Sequence, residues 1–149
     1  MNNTAISNAV EEIYRWIESQ GIEHICTGCG DCCNFTDYDH LLFVTGVELI
    51  HFAETVGTEN IKPMRNGICP YRVDNKCTVY KSRFAGCRIF QCKGDNEKQG
   101  EVMENALAKF KKTGEEFGVN YSYTDLARGL QILITQTDRN QPVCQHKYF

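Results

Sequence analysis

The chain has 149 residues, 42% apolar and 23% charged, enough for one ordinary domain with a real core and not the composition of a disordered chain. A net charge of -3 argues against a nucleic-acid binder, and no apolar run nears the roughly 18 residues of a membrane span. The N-terminus, MNNTAISNAVEEIYRW, lacks the basic and apolar regions of a signal peptide, so the expected location is the cytoplasm.

In chain order, residues 4 to 20 predict an amphipathic helix, with Ile6, Val10, Ile13 and Ile17 on one face and Gly21 placed to end it. A cysteine cluster follows, then the polar loop NFTDYDH. LLFV (41 to 44) reads as either a short buried strand or the approach to the next helix. Thr45-Gly46-Val47-Glu48 has the form of a capping box, starting a helix over 46 to 56 that Gly57 stops. From Ile61 to Gly94 there is no helical periodicity beyond a turn around Tyr80 to Phe84. This stretch must be held by something other than secondary structure, with metal ligands the obvious candidate. The pattern is helical again over 96 to 117, where Val102, Ala106 and Phe110 share a stripe, and GVNYS breaks it. A last helix over 123 to 136 carries Leu126, Leu130 and Leu133, with Ser122 or Thr124 as its start. Gly129 inside it costs about 1 kcal/mol relative to Ala and marks close packing against a neighbour. The tail QPVCQHKYF looks loosely structured. The fold class expected is mainly α, with about four helices packed around an irregular, coil-rich, cysteine-rich metal-binding centre, all within a single domain spanning 1–149.

Nine cysteines in a reducing cytosol point to metal or redox chemistry rather than a disulfide framework. Cys26, Cys29 and Cys32 repeat the Cys-x-x-Cys step twice, and its two-residue spacer lets a tight turn aim neighbouring thiolates at one point. The same run opens the bacterial ferredoxin signature, which a distant Cys-Pro can complete, and Cys69-Pro70 supplies one. Cys33, adjacent to Cys32, projects in another direction and so suggests two neighbouring centres or one polynuclear cluster. With Cys77, Cys87 and Cys92, eight clustered cysteines divide into two sets of four.

Between 72 and 93 lie Arg72, Lys76, Lys81, Arg83, Arg88 and Lys93 against the single acid Asp74. This basic strip fits charge compensation of buried thiolates, the bland alternatives being a solvated face or a docking patch for an acidic partner. His24, His40, His51 and His146 are weaker ligand candidates. His51 reads as a surface or boundary residue, and Cys144 could bind metal only if the tail folds back. Tyr71, Tyr80 and Phe90 are expected to wall the metal site from solvent. No motif for hydrolytic catalysis is present.

These residues resemble the CxxCxxCC family of zinc- or iron-chelating proteins, also called YkgJ-like cysteine-cluster proteins. The first family motif stands as Cys26-x2-Cys29-x2-Cys32-Cys33. The second stands as Cys69-Pro70, then Cys77-Thr78-Val79-Tyr80, Arg83, Cys87-Arg88, Phe90 and Cys92, so the match covers residues 25 to 93. Val79 replaces the usual Ile, and Phe84 replaces the proline after the arginine, leaving the turn toward Cys87 less rigid. The resemblance implies a metal-chelating domain and leaves zinc versus iron open.

The leading expectation is an iron–sulfur protein, [4Fe–4S] in type, acting in electron transfer or as a redox accessory to another enzyme. Cys26, Cys29, Cys32, Cys33, Cys69, Cys77, Cys87 and Cys92 are the metal ligands, and Arg83 and Arg88 lie just behind them. The rival is a zinc-binding module in which Zn²⁺ staples the coil-rich centre. A metal-dependent modifying enzyme is the third reading, opposed by a ligand set made wholly of thiolates. The expected partner is a protein, a redox enzyme or a substrate protein, and neither nucleic acid nor membrane.

Overall fold

The computed structural model describes residues 3 to 21, 42 to 74, 76 to 89 and 96 to 139. Helix α1 (Asn3–Ser19) is followed by strand β1 (Phe43–Thr45) and helix α2 (Gly46–Val56). Strands β2 (Arg72–Val73) and β3 (Lys76–Cys77) and the short helix α3 (Ala85–Ile89) come next. Helix α4 (Asn96–Phe117), strand β4 (Tyr123–Asp125) and helix α5 (Leu126–Arg139) complete the described chain. The protein is mainly helical, as its periodicity implies, and no described helix is long and apolar enough to cross a membrane.

Two core clusters meet at α2. In the first, Ile6, Val10, Ile13, Tyr14 and Ile17 of α1 pack with Val102, Ala106 and Phe110 of α4, together with Val47, Ala85 and Ile89. In the second, Leu49 and Phe52 of α2 pack with Val44, Tyr71, Phe84 and the α5 residues Leu126, Leu130 and Leu133. Helix α2 is therefore buried on opposite faces, which is why its sequence is more apolar than an ordinary surface helix.

Local signals set most of the boundaries. Thr45 and Glu48 form the expected capping box, the Glu48 amide donating to the Thr45 hydroxyl and the Thr45 amide to the Glu48 carboxylate. Gly21, at φ 77°, accepts the left-handed turn that ends α1. At the end of α4 the Val119 amide reaches back to the Gly114 carbonyl and that of Gly118 to the Glu115 carbonyl, a Schellman closure that Gly118 permits at φ 73°.

Of the two readings of residues 41 to 44 the short strand is the one found, over Phe43–Thr45: β1 pairs antiparallel with β4, Val44 opposite Thr124. The start of the last helix is corrected in consequence: α5 starts at Leu126 rather than 123, and Asp125, not Ser122 or Thr124, is its side-chain cap, accepting from the Arg128 amide at 3.0 Å. The described residues hold five α-helices, in keeping with the mainly helical fold expected; the additional one, α3, is too short to show a period in the sequence. Gly129 behaves as expected: a Cβ there would lie 3.1 Å from side-chain carbons of both Val44 and Leu49.

Candidate metal centre

Of the eight predicted ligands, Cys69, Cys77 and Cys87 fall within the described residues, each half-buried. Cys26, Cys29, Cys32, Cys33 and Cys92 lie outside them, as do Cys144, His24, His40, His146, Phe90 and Lys93. Among the described residues no three Cys, His, Asp or Glu side chains converge where a metal ion could be held.

Tight turns deliver the first two thiols. Asn66 and Gly67 both take positive φ, 59° and 69°, closing an Arg65–Ile68 bridge in the manner of a two-residue hairpin turn. Cys69 follows at once and opens a second turn. Its carbonyl accepts from the Arg72 amide at 3.1 Å, with Pro70 at the position where a fixed φ favours the turn. Strands β2 and β3 then reverse the chain through Asp74, φ 53°, setting Cys77 opposite Arg72. The segment thus contains regular structure after all, in pieces of two residues that leave no periodic trace.

Tyr71 rivets this hairpin to the core. Its carbonyl accepts from both the amide and the hydroxyl of Thr78, at 2.8 and 2.7 Å. Its own hydroxyl donates to the Asn60 carbonyl and accepts from the Lys62 amide, each at 2.9 Å. The ring is buried edge-on against Phe52, centroids 5.3 Å apart, and burial raises the phenol's pKa. Tyr80 takes a different position from the one expected: 44% exposed, its ring carries the Arg83 guanidinium 3.7 Å from its centroid.

Cys87 sits on α3, whose orientation is set from beneath by Glu48. The Glu48 side chain is fully buried. One carboxylate oxygen accepts from the Ala85 amide at 2.7 Å and the Tyr14 hydroxyl at 3.0 Å. The other accepts from the amide and hydroxyl of Thr45, both at 3.0 Å. A single carboxylate therefore holds the first turns of α2 and α3 together and ties both to α1. Burial pushes the Glu48 pKa up, opposed by the hydrogen bonds it accepts from Ala85, Thr45 and Tyr14. The Tyr14 hydroxyl is raised well above its usual value, first by burial and then by the neighbouring carboxylate.

Arg88 ties the same segment to α1. Buried, it places its guanidinium 4.0 Å from the Tyr14 ring centroid. It donates to the Arg83 and Lys81 carbonyls at 2.8 and 2.9 Å and to Glu18 at 2.9 Å. Arg83 donates to the Tyr80 carbonyl at 3.0 Å and the Cys87 carbonyl at 3.3 Å. Both arginines thus lie beside Cys87 and orient the backbone that carries it. The sequence pattern contained a signal for Tyr14, four residues after Val10 on the buried stripe. Glu48 was visible as a cap, but its second set of partners was not.

His51 is corrected. It is 1% exposed, enclosed because α1 lies against α2. Its Nδ1 is 2.7 Å from the Ser7 hydroxyl and its Nε2 3.3 Å from the Glu11 carboxylate. Burial lowers its pKa, Glu11 acting the other way.

The donor chemistry fits a thiophilic metal. Cys69 and Cys87 pack against one core cluster, and Cys77 is hydrogen-bond-registered to the turn that carries Cys69. Soft thiolates of this kind select zinc or iron–sulfur. Comparison with protein families agrees: residues 25–115 match the model CxxCxxCC, described as "Putative zinc- or iron-chelating domain". The match runs past the last motif cysteine into most of α4. No curated protein and no solved structure matches the chain.

Proposed function

Since the chain belongs to the CxxCxxCC family of zinc- or iron-chelating domains, we propose that it is an iron–sulfur protein acting in electron transfer or as a redox accessory to another enzyme. Cys26, Cys29, Cys32, Cys33, Cys69, Cys77, Cys87 and Cys92 are the ligands, in one or two clusters of the [4Fe–4S] type. Its partner is a protein, and its compartment the cytoplasm. The observation that carries the reading is the all-thiol donor set: Cys69 and Cys87 pack against one core cluster, and Cys77 is held by the β2–β3 hairpin that follows Cys69. The ferredoxin-like Cys-x2-Cys-x2-Cys run and the Cys69-Pro70 step support iron.

A bound cluster supplies one-electron chemistry. The chain's own residues do the rest. Glu48 orients α3 and hence Cys87. Arg88 and Arg83 bring positive charge beside ligands that are anionic when metallated. Tyr71, Phe52 and Phe84 keep a dry wall behind Cys69 and Cys87.

One feature favours zinc as a second reading. Residues 61 to 89 are built from two-residue strands, a single 3-10 turn and a five-residue helix, the kind of segment a structural metal staples. Protein purified without oxygen decides between them. Iron–sulfur predicts brown protein with broad visible absorption that dithionite bleaches, and iron and sulfide by elemental analysis. Colourless protein with stoichiometric zinc would sink it.

A further inference from the structure

The strip that holds Cys77 forms one wall of an open groove of about 570 Å³. Thr55, Val56, Asn60 and Lys62 contribute to its lining, together with the run from Cys77 to Ser82, which includes Tyr80 and Lys81. Among the described residues no Asp or Glu lines it. Lys62 and Lys81 are exposed, and neither makes an ion pair within the described residues. Lys62 lies 5.6 Å from the Tyr71 ring centroid, and the half-exposed Tyr80 offers an aromatic face of the type that anchors interfaces.

The two lysines of this groove belong to a charge asymmetry in the chain. Residues 62 to 88 contain seven Lys and Arg against one acid, Asp74, a local charge of +6. Because the whole chain carries -3, the remainder carries -9. Arg83 and Arg88 of this set are buried in structural contacts, but Lys62, Arg65, Lys76 and Lys81 all face solvent. A protein with this distribution steers an acidic object toward the strip and repels it elsewhere.

We propose that the groove is the docking surface for an acidic protein segment, rich in Asp and Glu, which seats against Lys62, Tyr80 and Lys81 beside Cys77. This names the chemistry of the partner of the metal centre, and it rests on that reading for the assignment of Cys77 as a ligand. A short acidic segment is favoured over a nucleic acid because the chain outside residues 62 to 88 carries a net -9, which opposes a long phosphate strand. It is favoured over a second copy because the complementary acidic charge here is spread along the chain, not gathered in one strip.

The test uses the full chain and three labelled probes of equal length: an Asp/Glu peptide, its Asn/Gln counterpart and an oligothymidylate. Binding is followed by fluorescence anisotropy at low ionic strength. The Asp/Glu peptide should bind the native chain, weaken as salt is added, and bind the Lys62→Glu/Lys81→Glu variant at least about tenfold more weakly. A Lys111→Glu/Lys112→Glu variant changes net charge equally on the exposed side of α4 and should bind nearly as the native chain does. Equal loss in both variants would reduce the effect to net charge and overturn the groove. So would tighter binding of the oligothymidylate, binding of the Asn/Gln peptide as strong as that of the acidic one, or a homodimer in sedimentation that the groove variant alone breaks. Metal content measured on the same samples separates the two readings. Native protein devoid of iron and zinc ends the metal-centre reading whatever the peptides do, whereas metallated protein that fails to distinguish the two lysine pairs ends the groove alone.

Discussion

The interface of α1 with α4 and the segment from Ile61 to Ile89 are held together by different physics. In the former, aliphatic and aromatic side chains at helical spacing bury one another, and Ile6, Val10, Ile17 and Ala106 are wholly excluded from solvent. In the latter, backbone groups are satisfied one at a time by Tyr71, Glu48, Arg83 and Arg88. Apolar burial is non-directional and tolerates modest repacking. Hydrogen bonding from buried polar side chains fixes direction and is costly to leave incomplete. A scaffold needs the first property. A segment that must aim thiols needs the second.

Removing metal should separate the two regions most sharply. If a metal staples the cysteine segment, chelation under reducing conditions should strip hydrogen-exchange protection from the amides of Arg72, Thr78 and Arg88, while α1 and α4 keep theirs. Protection unchanged throughout would show that the polar contacts suffice without metal, erasing that part of the contrast.

Next in size is Phe110→Ala, which opens a cavity beside Tyr14, whose ring lies edge-on at 6.1 Å. Denaturant titration should show a loss of about 4 kcal/mol; a loss under 1 kcal/mol would mean the scaffold does not depend on this burial. Glu48→Gln should cost about 2 kcal/mol, because an amide cannot accept at both oxygen positions and leaves buried donors of Thr45 or Ala85 without an acceptor. The contrast lies in where the damage falls: Phe110→Ala should loosen α1 and α4, and Glu48→Gln should loosen α3 and lower metal content. Full metal retention in Glu48→Gln would break the assignment of Glu48 as the residue that positions Cys87.

The smallest effect concerns pH. His51 is held below its ordinary pKa of about 6.5 by burial, so below that pH the unfolded chain binds the proton more readily than the folded one. Stability from His51 is therefore complete above about pH 6.5 and is lost as pH falls toward the folded value. Denaturation midpoints of the native chain and His51→Asn should converge on acidification through this window. Parallel curves would show that His51 titrates alike in both states.

How much of this was legible depended on the range of the interaction involved. The capping box at Thr45 and Glu48, the end of α1 at Gly21 and the extent of α4 are local matters, set by side chains within a few residues of the backbone they satisfy. Gly129 was interpretable because a glycine within a helix is costly unless something approaches closely. The start of α5 was not, since Tyr123–Asp125 becomes a strand only by pairing with Phe43–Thr45, some 80 residues earlier. His51 looked like a boundary residue because one helix's sequence cannot show that neighbours cover both of its faces.

The cysteine spacing and the local charge imbalance are properties of the amino-acid sequence by itself, and they suffice to place the chain among metal-chelating domains. Thiol donors at short intervals carry their chemistry wherever they fold. The tertiary structure alone decided that Glu48 serves two helices, that Arg88 bridges the cysteine segment to α1 and that Lys62 and Lys81 line one groove. Each of these joins residues 19 to 70 positions apart. No local propensity encodes such a meeting; the burial of two helix faces around α2 brings it about.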